Sequence, residues 1–118
     1  KHIMKLSSLK ILNLSFCKNI TNEGLKLLSK ISSLQELILS YCENISDEGL
    51  IHINKLLLLY ELNLSSCYKI TDEGLVYIEK LSLLKKLFLF GCDISEKGLQ
   101  NLWRKLPATF SSYHFSIL

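Results

Sequence analysis

The four cysteines of this 118-residue chain are the residues whose type and spacing first suggest a chemical role. They are Cys17, Cys42, Cys67 and Cys92, and each follows the previous one by 25 residues. Thiols can bind zinc, form disulfides or act as nucleophiles, but the chain has no Cys-x-x-Cys pair and its three histidines follow no related spacing. We therefore expect no metal, no cofactor and no catalytic cysteine, and we interpret all four thiols as buried, reduced packing groups.

The constant spacing indicates one structural unit repeated four times. Aligned on the cysteines, the copies cover residues 9–31, 34–56, 59–81 and 84–106. Such a period is typical of a solenoid, in which each repeat buries its apolar face against the next. Before each cysteine, leucines alternate with variable residues as in a strand, and after it leucines and isoleucines recur at helical spacing. Each repeat is predicted to be a strand, a turn and a helix.

The start of each predicted helix has suitable capping chemistry. A Ser or Thr stands at each N-cap (Thr21, Ser46, Thr71 and Ser95), and acidic residues in the first turn complement the helix dipole. A stacked carboxylate ladder that binds calcium is the alternative, but no Asp-x-Asp-x-Asp-Gly loop accompanies it. A glycine inside each helix indicates close packing on a neighbouring repeat (Gly24, Gly49, Gly74 and Gly98).

The shared frame, L-x-x-L-x-L-x-x-C-x-x-I-T-D-x-G-L, resembles the cysteine-containing leucine-rich repeat found mainly in F-box proteins. The third repeat fits every motif position from Cys67 to Leu75, whereas the fourth has one residue fewer between Cys92 and Ile94 and carries Lys97 in the acidic stretch. The resemblance implies an α/β leucine-rich repeat solenoid. We expect a short curved horseshoe, with a parallel sheet on the concave face, helices on the convex face and four repeats within residues 1–106.

Residues 107–118 do not fit the repeat. Pro107 ends the last helix, and Tyr113, Phe115 and Ile117 alternate with polar residues as in a strand. We predict a C-terminal capping segment, because an open end of the array would expose apolar residues and an unpaired strand edge through which two chains can associate.

The residues between the buried leucines of each strand point to the opposite face, where they form columns across the repeats. Apolar and aromatic side chains among small polar ones are typical of a surface that binds a protein partner. The predicted partner-binding residues are Ile11, Glu36, Ile38, Tyr41, Glu61, Asn63, Lys86, Phe88 and Phe90. An alternative for Phe88 and Phe90 is that the C-terminal segment covers them.

Composition disfavours several other functions. The 14 basic residues exceed the 11 acidic ones by only three and are scattered, which disfavours a nucleic-acid groove. The longest apolar run, residues 56–59, is too short to span a membrane. His52 falls in a helical column that predicts a surface side chain, and no motif for phosphate binding or nucleophilic catalysis occurs. We expect a protein that is not an enzyme.

The resemblance implies a protein–protein interaction domain that holds the substrate of an F-box-type ubiquitin ligase subunit. A free-standing repeat scaffold or effector unrelated to ubiquitin is the alternative, and an F-box upstream of Lys1 would distinguish the two. The absence of a secretory pattern and the regular column of thiols favour a reducing compartment, cytoplasmic or nuclear. Because the chain opens on Lys1 just before the first repeat, we expect it to be a fragment of a longer protein.

Overall fold

The computed structural model describes residues 8–106. The elements in chain order are β1 (Ile11–Asn13), α1 (Asn22–Leu28), β2 (Glu36–Ile38), α2 (Asp47–Ile53), β3 (Glu61–Asn63), a 3-10 turn (Asp72–Gly74) that continues into α3 (Leu75–Ile78), β4 (Lys86–Phe88) and α4 (Glu96–Lys105). The strands form one parallel sheet in the order β1-β2-β3-β4. The predicted α/β leucine-rich repeat solenoid is therefore confirmed.

The sheet register aligns the copies of the repeat residue by residue. Leu12, Leu37, Leu62 and Leu87 are direct partners on adjacent strands, and all but Leu12 are fully buried. Further buried leucines and isoleucines from the turns and helices extend this core along the array. Apolar residues of the first and last repeats remain partly accessible because each of those repeats has a described neighbour on one side only.

A side chain at the first helical position links each repeat to the next. The amide of Asn22 accepts the backbone N–H of Ser46 at 3.0 Å and donates to its hydroxyl at 2.8 Å. Asp72 accepts the N–H and the hydroxyl of Ser95 at 2.9 and 2.5 Å. These first-turn residues thus bind the N-cap residue of the next repeat. The sequence predicts only that the acidic ones interact with the helix dipole.

The four predicted N-cap residues all precede helical turns in extended conformation. The hydroxyls of Thr71 and Ser95 accept helical N–H groups, from Glu73 and Gly98 respectively. The prediction of a side-chain cap is wrong for Thr21 and Ser46, which make no such bond. The Ser46 hydroxyl instead accepts a hydrogen bond from the Asn22 side-chain amide.

Close packing explains three of the four helical glycines. A Cβ on Gly49 would lie 2.6 Å from Leu25 Cδ1, and one on Gly74 would lie 2.8 Å from Leu50 Cδ1, both far inside van der Waals contact. A Cβ on Gly98 would likewise overlap the carboxylate of Asp72. Within residues 8–106 the prediction is wrong for Gly24, where the nearest described atom would be 3.7 Å away in ordinary contact.

The predicted capping segment, residues 107–118, lies outside the described residues, as does the start of the chain. Between residues 8 and 106, no helix combines the length and the apolar character needed to cross a membrane.

Candidate functional site on the concave face

The nine predicted partner-binding residues lie on the concave side of the sheet or in the turns that follow it. Ile11, Glu36, Glu61 and Lys86 form one column in direct register, and Asn13, Ile38, Asn63 and Phe88 form the next. Phe90 and Tyr41 follow the ends of their strands. The structure thus brings the set together on one surface, and its role in binding remains a prediction.

Two neighbouring carboxylates mark the centre of the first column. Glu36 and Glu61 face each other across β2 and β3, a pairing of like charges that is unfavourable by itself. Each has a partner: the Tyr60 hydroxyl donates to Glu36 at 2.7 Å, and the Lys86 ammonium lies 4.0 Å from Glu61. The bond to Glu36 raises the pKa of the Tyr60 hydroxyl above its ordinary value, because the carboxylate favours the protonated donor.

Neutral polar groups occupy the ends of alternate strands. The side-chain oxygen of Asn13 accepts the backbone N–H of Ser15 at 3.0 Å and its hydroxyl at 2.7 Å. Asn63 accepts the N–H of Ser65 at 2.9 Å in the same manner. These bonds hold the chain as it leaves the strand and fix the two amides on the concave surface.

Apolar side chains lie at both ends of this polar surface. Ile11 is 56% exposed in the first repeat, and Phe90 is 48% exposed in the fourth. Ile38 and Phe88 are half-buried between them in the second column. An array of partly exposed apolar groups around satisfied polar ones is typical of surfaces that bind other proteins.

The residue just before each cysteine lies in the left-handed backbone region. The φ angles are 66° at Phe16, 62° at Tyr41, 61° at Ser66 and 83° at Gly91. Only the glycine adopts this conformation without steric cost. The Phe16 and Tyr41 rings stack with centroids 4.6 Å apart and an interplanar angle of 7°. Phe16 shares the column of Tyr41 but is absent from the predicted set, although this shared position is visible in the sequence.

The cysteines form a regular column beneath these turns. The Cys42, Cys67 and Cys92 thiols donate to the carbonyl oxygens of Leu14, Leu39 and Leu64, at 3.1, 3.2 and 3.1 Å. Burial raises the pKa of Cys42 and raises those of Cys67 and Cys92 to about 12. All four cysteines are free thiols.

The prediction that every thiol is buried is right for Cys42 and Cys67 and wrong for Cys17 and Cys92, which are half-buried. These two belong to the first and last repeats, where one covering neighbour is missing from the described residues. Their position explains the greater accessibility.

Two other sequence predictions concern the convex side and metals. His52 is half-buried rather than a surface residue, and its Nδ1 is inaccessible, with no hydrogen-bond partner among residues 8–106. Within that range, no group of three or more His, Cys, Asp or Glu residues is placed to hold a metal ion.

Comparison with known families agrees with this geometry. The pattern of the family described as Leucine Rich repeat matches residues 5–29, 30–53 and 58–78, more than half of the chain. The chain belongs to the leucine-rich repeat family. Domains of this family are generally non-catalytic modules that bind protein partners, and the match names no enzyme family. A search of curated proteins found no match. The fourth repeat lies outside the matched ranges, yet β4 and α4 continue the array.

Proposed function

We propose that the leucine-rich repeat domain binds a protein partner through the concave face of its sheet. The observation that carries this proposal is the register of the two strand columns, which gathers apolar, amide and charged side chains from four repeats on one surface. Leu37, Leu62 and Leu87 beneath them are fully buried and fix the strand positions. The residue types in the columns can therefore differ between repeats without disturbing the core, and a surface that recognises a specific partner requires such differences.

The bound protein is, in our proposal, a substrate presented to ubiquitin transfer by an F-box-type ligase subunit. Support comes from the likeness of the Cys67-to-Leu75 motif to the repeats of F-box proteins. The column of free thiols supports a reducing compartment, cytoplasmic or nuclear, where such ligases act.

The test is quantitative capture of partners by the full-length protein in cells. Phe88→Ala should lower the yield of concave-face partners by about 30-fold, the equivalent of about 2 kcal/mol for a central anchor. The matched control is Lys26→Ala, an exposed residue on α1. Loss of partners with the Lys26 variant and not with the Phe88 variant would place the interface on the helices.

The ubiquitin proposal has its own measurement. Partners that depend on Phe88 should be ubiquitinated by the full-length protein with its cullin ligase and should accumulate when the protein is removed. Partners that bind in the same Phe88-dependent way but are neither ubiquitinated nor accumulated would identify a scaffold instead.

A further inference from the structure

The exposed aromatic residues of the described chain are concentrated at one edge of the sheet. Phe16, Tyr41, Tyr68 and Phe90 lie in the turns that follow the strands, and Trp103 on α4 is the fifth exposed aromatic residue between positions 8 and 106. We name the stacked pair Phe16 and Tyr41 the aromatic ledge. The two residues are 67% and 43% exposed.

The left-handed backbone beneath the ledge is common to all four repeats, since the buried Ser66 shares it with Phe16, Tyr41 and Gly91. Phe16 and Tyr41 have positive φ angles, which are sterically unfavourable for large side chains, whereas Gly91 holds the same position in the fourth repeat without that cost. The repeat therefore accommodates glycine here. Burial of the aromatic side chains offsets only part of this strain, since Phe16 is 67% and Tyr41 43% exposed.

The geometry also makes the ledge well suited to binding. Two rings held in parallel stacking lose little conformational freedom when a partner covers them. Phenylalanine and tyrosine offer large contact areas, and aromatic residues are enriched at the centres of protein interfaces. The Tyr41 hydroxyl adds a hydrogen-bonding group at the rim.

Charge indicates what kind of partner fits. The four equivalent segments that contain the strands and the ledge positions, residues 11–18, 36–43, 61–68 and 86–93, contain four acidic residues and two lysines. The whole chain has a net charge of +3. The charged residues of the two strand columns are Glu36, Glu61 and Lys86, which give the concave face a net charge of −1 on a basic protein. Lys86 lies 4.0 Å from Glu61, whereas the Glu36 carboxylate accepts from the neutral Tyr60 hydroxyl and favours an added cation.

We propose that the aromatic ledge and the Glu36–Glu61 pair together bind an extended protein segment that carries an apolar side chain and a Lys or Arg. Glu36 begins β2, which ends at Ile38, and Tyr41 lies in the turn three residues further on, so the two are at most roughly 17 Å apart. A partner segment that runs along the strands therefore needs its basic residue within about five positions of its apolar one. This inference rests on the proposed concave-face function and specifies its partner.

The experiment selects binders from a displayed library of random peptides on the purified 118-residue chain. Three variants are compared: the double variant Phe16→Gly with Tyr41→Gly, the concave variant Phe88→Ala, and the control Leu57→Ser. Leu57 is exposed in a turn where the equivalent positions of other repeats are Ser32 and Ser82. Gly91 shows that glycine is compatible with the ledge position, so the double variant should fold, with a thermal midpoint within about 4 °C of the parent.

Peptides that combine an apolar residue with Lys or Arg at the stated spacing should be enriched. Their affinity should fall at least tenfold in the double variant and when the basic residue is replaced by Glu, and should change less than about twofold in the Leu57 control. Peptides that depend on Phe88 but not on the ledge would overturn this inference and leave the concave-face function intact. Peptides whose binding depends on neither Phe88 nor the aromatic ledge would contradict both this inference and the proposed concave-face function. An acidic consensus, or a dimer of the chain that the double variant abolishes, would also overturn it.

Discussion

The carboxylate of Asp47 joins two repeats through one residue, Thr71. Its Oδ1 accepts the Thr71 backbone N–H at 2.8 Å, and its Oδ2 accepts the Thr71 hydroxyl at 2.5 Å. The same pairing recurs one repeat earlier with Asn22 and one repeat later with Asp72. Because hydrogen bonds to a carboxylate are stronger than neutral ones, this ladder makes a substantial contribution to the stacking of the repeats.

Asp47→Ala should lower the free energy of unfolding by about 2 to 3 kcal/mol, because it leaves the part-buried Thr71 donors without their acceptor. Asp47→Asn should cost less than about 1 kcal/mol, since an amide can make the two bonds that Asn22 makes to Ser46. Glu48→Ala, at the adjacent exposed residue, is the control. Urea unfolding measures all three. Equal losses for the Asn and Ala variants would show that charge, not the bonding pattern, matters.

Glycine substitutions should separate close packing from helix propensity. Gly74→Ala should destabilise the protein by about 1 to 3 kcal/mol, because its Cβ would overlap the Asp47 carboxylate and Leu50. Gly24→Ala introduces the same methyl group at the equivalent position, where residues 8–106 offer only ordinary contacts to Ile20. It should stabilise by about 0.5 to 1 kcal/mol through helix propensity. Thermal unfolding of both variants provides the measurement, and destabilisation by Gly24→Ala would contradict the packing argument.

The buried thiols should make stability fall in alkaline solution. The pKa of Cys67 is raised from 9.0 to about 12 in the folded protein, mainly by burial. The folding free energy that the protonated Cys67 thiol contributes is therefore fully present below the unfolded-state pKa. It is lost as pH rises from about 9 towards 12. Between about pH 8 and pH 10, the stability of the parent should fall by roughly 1 kcal/mol more than that of Cys67→Ala. Parallel denaturant titrations of the two proteins test this, and identical pH dependence would show that the folded thiol ionises normally.

The sequence predicts the parts of the fold that repetition determines. Leu37 and Leu62 could be placed in register because a fixed period and strand alternation leave one arrangement that buries every leucine. The Asp47–Thr71 bond was not predictable in this way, because an acid in a first helical turn also suits the helix dipole. The Phe16–Tyr41 stack depends on a left-handed turn conformation, which aromatic residues rarely adopt and which sequence propensity disfavours.

The end of the array offers a test of the predicted capping segment. Glu96 stands where Asn22, Asp47 and Asp72 hold the next N-cap, and its side chain is one methylene longer than those three. Leu99, Gln100, Trp103 and Arg104 line a pocket of about 380 Å³ on the side of α4 away from α3. Twelve residues follow Leu106, and an extended chain of that length reaches roughly 40 Å, enough to cross this end of the domain. We propose that residues 107–118 cover it.

Trp103 is the only tryptophan of the chain and is 44% exposed, so its fluorescence reports on this pocket. Deletion of residues 107–118 should shift its emission to longer wavelength, increase quenching by acrylamide, lower the thermal midpoint by several degrees and promote self-association. Serine at the alternating positions Tyr113, Phe115 and Ile117 should reproduce these effects. Alanine at the intervening Ser112, His114 and Ser116 should not, because that substitution retains the apolar side chains. Unchanged emission and midpoint after deletion would exclude the capping role and favour docking of the segment on another chain.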